Sequence, residues 1–174
     1  MIAYRVLIPL AASLTLGASQ DAGVSLTDAS QDQVIEAVQR SGLTSKIRAG
    51  RWSQSIRVID FSKPGTTADQ RNQILAAEPR TSVQCIASEQ DKVVIPGIIP
   101  SLGEGCSYRS YKLTGKSVSM EVVCADGGTR MAITGNFSPL TYYGQIEATV
   151  GEVKSKIEMT LVYRGQCRGD EAKD

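Results

Sequence analysis

The sequence predicts an all-β fold with one or two short peripheral helices: a single antiparallel meander sheet of about seven strands, strongly twisted and able to curl into an open barrel. Three observations predict it. Asp126–Gly127 and Gly151–Glu152 are favoured residue pairs for tight hairpin turns. Registering the flanking strands from those turns gathers the large apolar residues on one face, an agreement that a one-residue slip would destroy. The run Leu140–Val150 would extend to roughly 36 Å at ~3.3 Å per residue, a length at which a sheet coils.

The first residues read as an export signal. Arg5 gives a positive start, Val6–Leu16 is apolar, and Gly17, Ala18 and Ser19 supply the small side chains of a cleavage site. The expected signal covers residues 1–18, with the cut between 18 and 22, and its apolar part is too short for the ~20 residues that span a bilayer. Localisation is therefore expected to be periplasmic or secreted, with no transmembrane segment in the mature chain. A helical leader over 24–47 follows. Within it residues 27–42 are read as a helix: Ser30 and Gln33 make a capping box, Val34, Ile35 and Val38 form an apolar stripe, and Gly42 is a stop.

The β domain is expected over 48–167, with a polar tail at 168–174. In Arg51–Phe61, Trp52, Ile56 and Val58 share one parity of a strand, and a weak helix over Asp69–Ala77 ends before Pro79. The Asp126–Gly127 turn sets Val122 opposite Met131, Met120 opposite Ile133 and Val118 opposite Gly135. The Gly151–Glu152 turn sets Ile146 opposite Ile157, Gly144 opposite Met159 and Tyr142 opposite Leu161. A tight turn at Ser138–Pro139 would link Phe137 to Leu140 and Met131 to Ile146, and would stand Arg130, Glu147 and Lys156 abreast on the polar face. Cross-strand charge pairing explains that last group without catalysis. The hairpin Cys106–Leu113/Ser117–Cys124 has two readings. A two-residue loop buries Tyr111 and Leu113, whereas a glycine bulge buries Cys106, Tyr108 and Ser110.

Four cysteines without C-x-x-C spacing, in an exported chain, imply two disulfides. The favoured pairing is Cys85–Cys106 with Cys124–Cys167; the runner-up joins Cys106 to Cys124 across a hairpin.

Composition limits the chemistry. The net charge of +1 offers nothing to nucleic acid, and the lack of histidine removes His-based triads and His metal sites. No phosphate-binding glycine motif occurs, and Asn136-Phe137-Ser138 is a glycosylation triplet of the kind that arises by chance. No cofactor, metal or catalytic residue is implied. The unusual segment is Val93–Gly105, where Ile95, Ile98, Ile99 and Leu102 are large and apolar while Pro96, Gly97, Pro100 and Gly103 break regular structure. It reads as a plug on the sheet or as a lid or docking surface. Gly135 and Gly144 leave room on the apolar face, which either neighbours fill or a pocket lined by Trp52, Tyr142 and Tyr163 retains.

Several short motifs resemble the DUF3617 proteins, an uncharacterised family of the bacterial envelope. They are Arg48-Ala49-Gly50-Arg51-Trp52 opening a strand, Cys85-Ile86 followed by Ser88-Glu89-Gln90, and Cys106 and Cys124 with Gly115 between. Gly135 and Gly144 in successive strands, Cys167 after the last one, and the leader Val24-Ser25-Leu26-Thr27 extend the likeness over residues 24–167. Ala49 stands where many relatives have proline. The resemblance implies an exported all-β domain with a cysteine framework and brings no catalytic residues. Three functions follow in order: a non-catalytic module binding an apolar ligand, a protein–protein interaction module of the cell envelope, and a hydrolase using carboxylates or a Ser–Lys pair.

Overall fold

A computed structural model describes residues 23–43, 48–86 and 103–168. Its strands are β1 (Val24–Ala29), β2 (Gly50–Ser62), β3 (Arg80–Ile86), β4 (Cys106–Leu113), β5 (Ser117–Cys124), β6 (Thr129–Phe137), β7 (Thr141–Val150) and β8 (Val153–Gly165). Helix α1 (Gln31–Ser41) follows β1, and α2 (Ala68–Ala76) joins β2 to β3. All eight strands form one antiparallel sheet in the order β1-β4-β5-β6-β7-β8-β2-β3. The sheet is open, with β1 and β3 at its edges, so the barrel is not closed.

The eighth strand is β1. Val24, Ser25 and Leu26 pair with Leu113, Lys112 and Tyr111, which moves the start of the expected helix from residue 27 to Gln31. Its capping box is as the sequence predicts: Ser30 Oγ accepts from the Gln33 N–H at 3.3 Å, and Gln33 Oε1 accepts from the Ser30 N–H at 2.8 Å. Gly42 ends it at φ 64°, where a β-carbon would be strained. Val34 and Val38 are fully buried and belong to the core. Helix α2 buries no residue; Arg71 holds it to β2, donating to Asp60 Oδ1 at 2.7 Å and to the Phe61 carbonyl at 2.9 Å.

The registers of β5–β6 and β7–β8 are those expected, with Val122 opposite Met131 and Tyr142 opposite Leu161. The β6–β7 register differs: Met131 faces Ala148, and Phe137 faces Tyr142. The loop from Phe137 to its partner is two residues longer, both added on the β7 side. The Ser138 N–H donates to the Thr141 carbonyl at 2.8 Å, and Ser138 Oγ accepts from the N–H groups of Leu140 and Thr141. The shift is even, so every side chain keeps its face. It also separates the expected row of charges. Lys156 Nζ lies 2.9 Å from Glu147, whereas Arg130 and Arg109 both pair with Glu121.

Neither reading of the β4–β5 hairpin holds over its whole length: Tyr108, Tyr111 and Leu113 are buried, whereas Cys106 is half-buried and Ser110 exposed, because the extra residue is Arg109 and not a glycine. Leu113 and Tyr111 face Val118 and Met120; beyond a bulge at Arg109, Tyr108 and Cys106 face Val122 and Cys124. The extra residue flips parity midway, so Leu113, Tyr111 and Tyr108 all reach the core. The favoured disulfide pairing is corrected: the bonds are Cys106–Cys124 and Cys85–Cys167. Cys106 and Cys124 are direct cross-strand partners, and β2 brings Cys85 and the end of β8 together because Arg51 pairs with both Cys85 and Gly165.

Candidate functional site

The apolar face of the sheet carries two groups of aromatic side chains. The first is built by the bulge at Arg109, which turns Tyr108 and Tyr111 to the same side. Their rings meet edge to face, centroids 5.7 Å apart at 84°. Tyr142 joins them from β7. It lies over the facing glycines Gly135 and Gly144, and a β-carbon at either glycine would overlap its ring. All three tyrosines are buried.

Burial sets their electrostatics. It pushes the Tyr108 and Tyr142 hydroxyls up to about 12. Burial first, and the neighbouring Tyr108 and Tyr142 phenols second, hold Tyr111 higher still. The three hydroxyls are therefore neutral donors near neutral pH, and none is a base. The Tyr111 hydroxyl is buried without a hydrogen-bond partner, which costs roughly 1–3 kcal/mol.

The second group lies at the β8–β2–β3 end. Trp52 and Tyr163 are cross-strand partners with centroids 5.8 Å apart. The Trp52 Nε1–H donates to the Arg48 carbonyl at 3.0 Å, and the Arg48 guanidinium sits 4.8 Å from the Tyr163 ring centroid. Beside them Gln54 Nε2 donates to the Met159 sulfur at 3.0 Å, its Oε1 accepts from Ser82 at 3.3 Å, and Gln84 Nε2 is buried without a partner.

Of the residues that the sequence proposes for contact, Trp52 and Tyr163 are brought together, while Tyr142 belongs with Tyr108 and Tyr111. Trp52 is 2% and Tyr142 3% exposed, so both serve as core. Ile95, Ile98, Ile99 and Leu102 lie outside the described residues, as does the expected signal at 1–18. In the sequence Tyr108 and Tyr111 stand as alternatives, because parity within a strand forbids both on one face unless a bulge intervenes. The signal was Arg109, a long cation interrupting the alternation.

Among the described residues no cluster of His, Cys, Asp and Glu could hold a metal ion, and no helix is long and apolar enough to cross a membrane. The site offers hydrogen-bond donors in an apolar setting, which suits binding. A family model described as a protein of unknown function (DUF3617) matches residues 47–170. No curated protein and no solved structure matches the chain.

Proposed function

The chain belongs to the DUF3617 family, and on that premise we propose that it is a non-catalytic binding module of the cell envelope. Its ligand is an apolar molecule bearing one neutral acceptor, taken up on the tyrosine-bearing face of the sheet. The observation that carries this reading is the Tyr111 hydroxyl, a buried donor without a partner between two other buried phenols. Ligand sites are largely apolar with a few placed polar groups, and an acceptor reaching Tyr111 would remove a standing cost. A charged head group would lose its hydration there, so the acceptor is an ester, ketone or hydroxyl oxygen. The envelope location rests on the Val6–Leu16 leader together with two disulfides, which persist in oxidising compartments.

Thermal unfolding of the oxidised protein in rising concentrations of monolaurin tests the reading. Binding to the folded state alone raises the midpoint progressively. Tyr111→Phe removes the unpaired hydroxyl, so it should raise the midpoint without ligand and shrink the monolaurin shift. No shift at saturating monolaurin, or an undiminished shift in Tyr111→Phe, would overturn it.

A further inference from the structure

The polar face of the sheet is not uniform. Near the turns that join β5 to β6 and β7 to β8 it is charged, and Arg130–Glu121 and Lys156–Glu147 are ion pairs there. Toward the opposite strand ends one cross-strand row is uncharged, with Glu158 adjoining it. Ser117 pairs with Asn136, Asn136 with Tyr143, Tyr143 with Thr160, Thr160 with Ser55, and Ser55 with Thr81. These six side chains cross six adjacent strands, a rank roughly 24 Å long at ~4.8 Å per strand. All are uncharged, and each can hydrogen-bond. Alongside stand Ser119, Thr134 and Gln145, flanked in their own row by Lys112 and Glu158.

Tyr143 stands in the middle of the first rank. It is 45% exposed, yet its hydroxyl is fixed, donating to Glu158 Oε1 at 2.8 Å and accepting from Gln145 Nε2 at 3.3 Å. Beside it a cleft of about 450 Å³ runs over Gly135 between Tyr143 and Ser117. A face that only needs solvation is served by Lys and Glu, as the other end of this same sheet is. A rank of hydroxyls and amides with one immobilised aromatic ring is instead suited to recognition.

We propose that this rank binds a neutral polysaccharide chain. A sugar ring offers an apolar C–H face to stack on Tyr143, and its hydroxyls both donate and accept, as Ser, Thr and Asn side chains do. An anionic polymer would need cations, which the rank lacks. A protein partner would need several large apolar anchors, and the rank holds Tyr143 alone. A linear chain of sugar rings lying across the strands would use its whole length.

The test is titration of the oxidised, isotopically labelled protein with chitotetraose, followed by amide chemical shifts. Saturable shifts should be confined to Asn136, Tyr143, Thr160 and their neighbours. Tyr143→Ala should weaken binding about tenfold or more, the loss of a stacking ring, while the thermal midpoint and the monolaurin response stay near those of the parent protein. Tyr143→Phe keeps the ring but frees it from Glu158, and should fall between. The proposal is overturned if neither chitotetraose nor maltotetraose gives saturable shifts, or if Tyr143→Ala binds as the parent does. It is equally overturned if the same amides shift with protein concentration alone, which would assign the rank to contact between copies of the chain.

Discussion

Tyr142 shows how single residues decide what this face can hold. Its ring occupies the space that Gly135 and Gly144 leave, so the two glycines serve packing. Gly135→Ala or Gly144→Ala should therefore destabilise by roughly 1–3 kcal/mol through overpacking, read as a lower urea midpoint. The buried phenols set a limit in alkali. Tyr108 and Tyr142 have folded values of about 12 against an ordinary 10, so the fold favours their neutral form. Their stabilisation is complete below pH 10 and is lost as pH rises through 12. The tyrosinate absorbance of these rings should thus develop together with loss of β-sheet circular dichroism. Asp126 has the opposite sign: hydrogen bonds from the Thr129 hydroxyl, then from the Thr129 and Gly128 N–H groups, lower its value. That contribution is present above its ordinary 3.8 and fades as pH falls through the lowered folded value. Asp126→Asn should flatten the acid limb of the stability profile.

At the scale of elements, legibility followed turn chemistry. Asp126–Gly127 and Gly151–Glu152 set two registers that the structure keeps residue for residue. Ser138–Pro139 did not, because serine accepting from the two N–H groups ahead of it makes a longer turn that alternation cannot distinguish from the shorter one. An even shift leaves the same residues buried. The β4–β5 hairpin hid its bulge for the converse reason, since one inserted residue makes each half contradict the other. The capping box of α1 was legible in full, whereas β1 was not: six residues at a sheet edge acquire strand character only from β4 beside them. The grouping of Tyr108 with Tyr111 was hidden with the bulge, and Tyr142 packs over Gly135 and Gly144 beside them. Edge strand β3 has its own consequence. Its residues Arg80–Val83 are exposed, Val83 by 46%, and 81–86 hold no charge or proline to block pairing. Val83→Lys should reduce aggregation during refolding, followed by light scattering, and leave the thermal midpoint nearly unchanged.

The described strands form one open sheet closed at two places by sulfur. Cys85–Cys167 spans 82 residues and Cys106–Cys124 spans 18. On chain entropy the longer loop stabilises by about 4.5 kcal/mol and the shorter by roughly 3 kcal/mol. Replacing Cys85 and Cys167 by alanine should accordingly lower the urea midpoint more than replacing Cys106 and Cys124. Between these staples the two faces differ in chemistry, with neutral phenols in the apolar face and a rank of uncharged polar side chains on the other. The proposal that the apolar face binds the ligand is tested most directly by intermolecular nuclear Overhauser effects between monolaurin and the oxidised protein. Contacts from the ligand to the ring protons of Tyr108, Tyr111 and Tyr142 are expected. Contacts confined to the outer face around Tyr143, or none to any of the three buried rings, would contradict it.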